Sequence, residues 1–228
     1  MKISLCLLTR NEVEGCRHDV PLIERRWFDE IYAVDGQSKD GTVEYLESQG
    51  IPVHQQPRKS LNAAVWHAFD VSATEAVVLF HPKGTISPTY LPLFRTYFEQ
   101  GLDLVIASRV MAGAHNEEDD QFLKPRKWFV LSLAVAAAVL FRREGNAIWD
   151  VLHGFRGMRV DAFRGLDPTP VGVSMDLEMV SRSYRKRLRR VEFPVVEVAR
   201  STGTTHFPAL PTGWALLRYL LREMVRPD

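Results

Sequence analysis

Apolar residues gather in short runs separated by stretches long enough for a helix: Ile3 to Leu8, Glu30 to Val34, Pro52 to His54, Ala76 to Phe80 and Leu102 to Ala107. That alternation predicts βαβ units and a mainly parallel sheet, with right-handed crossovers between neighbouring strands. Thr42 to Gln49 reads as one of the intervening helices. Asp40 stands where a carboxylate can cap its start, and Gly50 where a glycine can end it. Val110 to Pro125 carries no period, and a loop of that length in a compact domain is usually a lid or a binding loop. The rest of the chain predicts an apolar helix over Lys127 to Phe141, a short strand within Asp150 to Arg159 and a helix from about Asp176 to Arg187. A last strand over Arg190 to Val198 then precedes a terminal helix over Trp214 to Val225.

A sheet of this kind binds ligands in the crevice beyond the carboxyl ends of its strands. The residues there are Thr9 to Glu12, Asp35 to Gly41, His81 to Gly84, and Ser108 with Arg109, and every stretch is polar or contains glycine. No Gly-x-Gly-x-x-Gly follows the first strand, which argues against a dinucleotide-dependent dehydrogenase.

Composition narrows the class further. With 228 residues, 46% of them hydrophobic and 25% charged, the chain can bury a full core. A formal net charge of +1 argues against electrostatic binding of nucleic acid by the whole surface. The basic run from Arg182 to Arg190 has no stacking aromatic beyond Tyr184 and reads as a solvated helix end. Cys6 and Cys16 have neither metal-site nor disulfide-framework spacing and read as reduced thiols of a cytoplasmic protein. Met1 to Leu8 lacks the length and cleavage site of a signal peptide, and Trp128 to Phe141 falls short of the roughly 20 residues of a membrane span.

Between a strand and a helix, Asp35, Ser38, Asp40, Gly41 and Thr42 spell Asp-x-x-Ser-x-Asp-Gly-Thr. Leu8 to Glu12 precede it. Asp103 to Arg109, then Asp150 with His153-Gly154-Phe155-Arg156, then Glu192 to Val195 and Arg200 to His206 follow it. In this order the segments resemble the motifs of family 2 glycosyltransferases with the GT-A fold, and the closing pair resembles the dolichyl- or polyprenyl-phosphate mannose synthase branch. The resemblance runs from about Ile3 to His206. It implies an α/β, GT-A fold: a mainly parallel central sheet flanked by helices, with the transferase domain over 1–206. Residues 207–228 are then an amphipathic helix, packed on the domain or lying at a membrane interface. The implied activity moves a hexose from a GDP- or UDP-sugar to a polyprenyl phosphate at the cytosolic face of a membrane, with inversion.

The same resemblance assigns roles. Thr9, Asn11, Glu12, Asp35, Ser38 and His81 would bind the nucleotide, the Asp35 carboxylate accepting hydrogen bonds from base N–H groups. Lys83, Arg109 and Asp176 are the catalytic candidates. Arg126, Lys127, Arg156, Arg200, Thr205 and His206 would bind the acceptor phosphate, with the Gly-Thr-Thr turn at 203–205 suited to an anion nest. A lipid phosphate has a second pKa of about 6 and is largely ionised near neutral pH, so it needs no general base. Asp176 is then an orienting or structural group, kept in reserve as a base for a hydroxyl acceptor.

One segment departs from the family. His81-Pro82-Lys83-Gly84 stands where an Asp-x-Asp pair should hold Mg2+ or Mn2+. A neutral imidazole can ligate a metal, whereas a lysine repels one. Three explanations remain open: Lys83 serves as counter-charge to the diphosphate, the acidic run Glu117 to Asp120 supplies other metal ligands, or transfer is lost. In the last case the chain is a non-catalytic relative that binds nucleotide or a partner. Two helices bear on membrane contact. Lys127 to Phe141 is bracketed by Lys124, Arg126, Arg142 and Arg143, while the terminal helix gathers Trp214, Leu217, Leu221 and Met224 on one face. Either suits peripheral contact with a lipid surface or packing on the domain.

Overall fold

The structure, a computed structural model, describes residues 1–199 and 209–226. The apolar runs of the first half become β1 (Ile3–Thr9), β2 (Glu30–Asp35), β3 (Val53–Gln55), β4 (Ala76–Phe80) and β5 (Leu104–Ser108). Between them lie α1 (Val13–Asp19), α2 (Thr42–Ser48), α3 (Leu61–Val71) and α4 (Leu91–Glu99). The later part contributes α5 (Pro125–Phe141), β6 (Arg156–Arg159), α6 (Val160–Gly165), α7 (Met175–Arg185), β7 (Arg190–Pro194) and α8 (Ala209–Met224). Among the described residues the strands form one seven-stranded sheet in the order β3-β2-β1-β4-β6-β5-β7. Every pairing is parallel except those of β6, which runs antiparallel to β4 and β5. The mainly parallel α/β sheet expected from the sequence is what forms.

Strand side chains alternate between the two faces, and each face is apolar because helices cover both. Cys6, Leu8, Val77, Leu79 and Ile106 point into one core with residues of α3, α5, α6, α7 and α8. Leu5, Leu7, Val78, Phe80 and Val105 point into the other with α1, α2 and α4. Asp40 accepts from the Thr42 amide at 3.1 Å and from the Val13 amide at 3.0 Å, so one carboxylate begins α2 and ties it to α1. Boundaries shift where backbone chemistry dictates. Leu102 bonds back to Tyr97 and closes α4, which delays β5 to Leu104. β7 stops at Pro194, beyond which the described residues add the isolated bridges His115 to Val196 and Ile86 to Glu197.

α8 begins at Ala209, ahead of the Trp214 start expected from the sequence. Pro211 and Gly213 look like breakers, yet the first turn of a helix has no intrahelical acceptor for its amides and tolerates proline. Leu216, Tyr219 and Leu220 enter the core. Glu223 is buried and accepts from Arg182 Nη2 at 3.1 Å, and its carbonyl accepts from Arg185 Nη2 at 2.6 Å. Tyr219 and Ser181 share a 2.5 Å hydroxyl bond. Removing one partner of a buried ion pair exposes the other to an uncompensated desolvation cost. Replacing Glu223 with alanine is therefore expected to lower folding stability by on the order of 3 kcal/mol in urea titrations, and a loss within experimental error would show that the pair does not hold α8.

Candidate functional site

The loops after β1 and β2 are stitched together by short polar side chains. Asp35 ends β2 with no solvent exposure and accepts from Thr9 Oγ1 at 3.0 Å, Ser38 N at 2.8 Å and Ser38 Oγ at 2.5 Å. Asn11 N donates to Ser38 Oγ and Lys39 N to Asn11 Oδ1, each at 2.8 Å, and Glu12 N donates to Thr42 Oγ1 at 3.0 Å. Asn11 and Gln37 take φ of 51° and 62°, left-handed conformations that the stitching supports. A cavity of about 500 Å3 opens over this frame. Thr9, Glu12 and His81 line it, joined by Gln56, Lys59 and Lys83. Asp35, Asn11 and Ser38 are not in its lining; they hold the loops that form it.

At the end of β4 the His81-Pro82-Lys83-Gly84 turn is gripped by α1. A Cβ on Gly15 would collide with the Pro82 carbonyl oxygen and come within 2.8 Å of Lys83 Cα, so only glycine lets the helix approach this closely. Asp19, itself buried, accepts from Gly84 N at 2.8 Å and also bonds the Lys83 backbone. Burial pushes the Asp19 carboxyl above its usual range, and its hydrogen bonds partly offset that. Neither residue was recognised in the sequence, because a buried carboxylate inside a polar helix leaves no periodic mark.

Next to this turn lies a smaller cavity of about 170 Å3, lined among others by His81, Lys83, Arg109, His153, Asp176 and Glu197. Arg109 forks onto Asp150, Nε at 2.9 Å and Nη2 at 3.1 Å, while its Nη1 reaches Glu197 at 3.3 Å. Burial raises the Asp150 carboxyl, but the charge and hydrogen bonds of Arg109, with His153, together outweigh it and draw the group down to about 2. Glu192 accepts from the amides of Trp149 and Asp150 and so fixes the loop that presents Asp150. His153 Nδ1 bonds the Ala107 carbonyl; a carbonyl only accepts, so Nδ1 carries the proton and Nε2 is the lone-pair side. Burial, reinforced by Arg109, lowers the His153 imidazole to about 3. His81 is pushed down in the same way, by burial first and then by Lys83, His153 and Arg156. Both histidines are neutral acceptors near neutral pH.

Asp176 begins α7 at this cavity, 7% exposed, and its Oδ1 has no hydrogen-bond partner. Arg156 Nε lies 3.3 Å from it, and burial outweighs that attraction, so the Asp176 carboxyl titrates above its usual range. Arg156, expected at the acceptor phosphate, is instead fully buried. It donates to the carbonyls of His153 at 2.7 Å, Asp176 at 2.6 Å and Val151 at 3.4 Å, which leaves it a structural part. Glu178, two residues along α7, is likewise occupied by Thr169 and Arg182. Arg126 and Lys127 lie at the start of α5 on a third cavity of about 700 Å3, an apolar groove between α5 and α8 that includes Phe129, Trp214 and Leu217. Arg109 and Leu152 belong to both this groove and the small cavity; His81 and Lys83 belong to both the small cavity and the first. Neighbouring cavities thus share walls, the first with the second and the second with the third. Arg200, Thr205 and His206 lie outside the described residues.

The donor set does not fit a divalent metal. Among the described residues no group of three His, Cys, Asp or Glu converges on one point. Lys83 and Arg156 put positive charge beside His81. The acidic run is already committed: Asp119 to Lys124 and Lys127, Glu117 to Arg126, and Glu118 to the Lys127 amide.

A family model described as Glycosyl transferase family 2 matches residues 23–166. A dolichol-phosphate mannosyltransferase of Pyrococcus furiosus is 25% identical over 237 aligned residues, covering 98% of this chain, which spans 64% of that relative's length. Glucosyl-3-phosphoglycerate synthase of Mycobacterium tuberculosis, solved with Mn2+, UDP and phosphoglyceric acid, superposes with a TM-score of 0.74 at 17% identity, covering all of this chain and 80% of that one. The same synthase with Mn2+ and UDP-glucose gives 0.73 at 17% identity, with the same coverage. At such identities the likeness is one of fold.

The depressed His153 imidazole has a consequence for stability. Its ordinary value is 6.5, so the unfolded chain takes up a proton before the folded one does. Its contribution is complete above pH 6.5 and is lost as pH falls toward 3. Relative to His153→Gln, the unsubstituted protein is expected to lose up to ~1.4 kcal/mol per pH unit between pH 6 and 4 in denaturant titrations. Parallel pH profiles for the two proteins would show that the imidazole is not held neutral.

Proposed function

Since the chain belongs to glycosyl transferase family 2 and has the GT-A fold, we propose that it moves a hexose from a nucleotide-diphosphate sugar to a polyprenyl-type lipid phosphate. In this reading fixed cations, rather than a bound metal, take up the charge of the departing diphosphate. The observation that carries it is the succession of three cavities with shared walls: one that Lys83 lines, a compact chamber that Lys83 also lines, and an apolar groove that meets the chamber at Arg109 and Leu152.

The first cavity, within the size range of about 300–1,000 Å3 usual for ligand sites, takes the nucleoside. Thr9 and Glu12 offer it polar contacts, while Asp35, Asn11 and Ser38 keep the loops in shape. The diphosphate lies at Lys83 and the hexose in the small chamber, where the Asp176 carboxylate and His153 can accept from sugar hydroxyls. The acceptor phosphate enters from the groove side toward Arg109, whose Nη1 contact to Glu197 is its longest and the easiest to exchange. Arg126 and Lys127 also line the groove, and the acceptor phosphate would compete there with their carboxylate partners, Glu117 and Asp119. Donor and acceptor thus approach the anomeric carbon from opposite ends of the chamber. A phosphate oxygen forms the new bond as the bond to the diphosphate breaks, the electron pair leaves with the diphosphate beside Lys83, and configuration inverts. Ionised phosphate needs no base, which suits Asp176 to orienting the sugar.

The lipid acceptor is favoured over a small phosphorylated acid because the groove is walled by Phe129, Val130, Trp214, Leu216 and Leu217. The curated relative's name points the same way, whereas the structural neighbours bind phosphoglyceric acid. No helix among the described residues is long and apolar enough to cross a membrane, so the acceptor would be met at a surface, which we take to be the cytosolic one.

Calorimetry with GDP, UDP and their sugar conjugates tests the charge assignment. Binding is expected to persist in EDTA, and Lys83→Ala to lower turnover about 100-fold or more while the fold is retained. Unchanged turnover would remove Lys83 from the reaction, and a requirement for Mg2+ or Mn2+ would restore a metal. Failure of every nucleotide to bind with or without metal would leave the non-catalytic reading. Incubation with a short-chain polyprenyl phosphate and with phosphoglycerate, side by side, decides the acceptor.

A further inference from the structure

α8 has two apolar sides. Leu216, Tyr219 and Leu220 face the core together with the paired Glu223. About a third of the way around the helix, Leu210, Trp214, Leu217, Leu221 and Met224 recur at intervals of three and four, which makes a stripe, and they are 88%, 64%, 42%, 63% and 50% exposed. The exposed charges of α8 are Arg218 and Arg222; its one carboxylate, Glu223, is buried. α5 runs beside it in the same direction. Phe129 meets Gly213 near one end, and near the other Arg185 lies over the Phe141 ring while bonding the Glu223 carbonyl. α5 carries no charge from Trp128 to Phe141 and exposes Trp128, Val135 and Val139, with exposed Arg142 and Arg143 following. On its inner face Val130, Leu133, Ala134, Ala137 and Phe141 are buried. Exposed apolar surface of this extent marks an interaction site.

We infer that the outer faces of α8 and α5 dock the protein on a bilayer that contains anionic lipid. Apolar residues with tryptophan on one sector and arginine at its edge suit the boundary between acyl chains and headgroups. A second copy fits less well, because mating the two stripes would bring Arg218 and Arg222 together with no exposed carboxylate on α8 to pair them. The surface is continuous with the acceptor groove, since Leu210, Trp214 and Leu217 belong to both. Docking would therefore set the groove mouth against the layer that holds a lipid phosphate. This deepens the lipid-acceptor reading and rests on it only for what enters the groove.

The test is sedimentation of the full chain with vesicles of phosphatidylcholine alone and with about one third phosphatidylserine, an anionic content at which basic residues bind measurably. Binding to the mixed vesicles is expected, and the double substitution Leu221→Glu with Met224→Glu, at positions that line none of the three cavities, should weaken it at least tenfold. Melting temperature and calorimetric nucleotide affinity should be unchanged in that variant. Val139→Glu supplies an independent variant on α5 should the first fail to fold. Absence of binding to anionic vesicles, or equal binding by the variants, would overturn the inference. So would a concentration-dependent dimer in analytical ultracentrifugation that the double substitution dissolves, because the face would then belong to a second copy. Transfer to a water-soluble short-chain polyprenyl phosphate, assayed without vesicles, separates the two ideas: transfer without vesicle binding defeats docking alone, and vesicle binding without transfer defeats the acceptor reading alone.

Discussion

A guanidinium that no water reaches governs the centre of this molecule. Arg156 is the largest of the fully buried side chains, and removing its charge from water costs several kcal/mol unless the protein replaces the lost hydrogen bonds. Three carbonyls do so, from Val151, His153 and Asp176. They lie on the loop before β6 and at the start of α7, so satisfying one side chain fixes the two segments that line the small chamber. The same demand explains Asp176. Its main-chain oxygen is spent on Arg156, and its carboxylate, with a buried Oδ1 that makes no hydrogen bond, is held beside the guanidinium on the wall of the chamber.

The surrounding charges then fall into two kinds. Arg109 is balanced by Asp150 and Glu197 within the fold, and Arg156 by carbonyl dipoles and Asp176. Lys83 lies on both the donor cavity and the chamber, where the diphosphate is proposed to sit. A metal ion is positioned by the bonds its ligands make to it. A lysine, on a flexible four-carbon stem, has to be positioned by the backbone that carries it. The close approach of Gly15 and the bonds from Asp19 to the Lys83 and Gly84 backbone supply that rigidity. Keeping His81 and His153 neutral completes the arrangement, since two further cations in the same space would repel Lys83 and one another.

Much of the fold was legible because a parallel sheet covered on both faces turns every strand into an apolar run, and Ile3 to Thr9 and Ala76 to Phe80 need no other signal. Boundaries failed where a local rule met a longer-range partner. Pro211 and Gly213 hid the first turn of α8, which proline tolerates and which packs Gly213 against Phe129. The loops around the site were legible as motifs, yet their division of labour was not. Asp35 and Arg156 carry the family's pattern as clearly as Thr9 does, but pattern does not say whether a side chain faces the cavity or braces its wall. Asp19 was invisible for a related reason: besides its neighbour His18 it is bonded by the Gly84 amide, sixty-five residues away, and amides have no identity in a sequence.

α8 joins these parts. Its inner side is anchored through Glu223 to Arg182 and through Tyr219 to Ser181. Pro211, Thr212 and Ala215 of its first half wall the donor cavity, while Gly213, Trp214 and Leu216 wall the acceptor groove, with Thr212 common to both. A ligand that holds the first half of α8 in place therefore improves the other site without touching it. Thermodynamic linkage requires that improvement to be equal in both directions. The buried ion pair at the far end of the helix sets the scale of the effect, because a firmly anchored α8 leaves either ligand little to organise. On the proposed reading, donor and acceptor occupancy would in this way be connected through one helix, although the residues that would contact each ligand come from different strands.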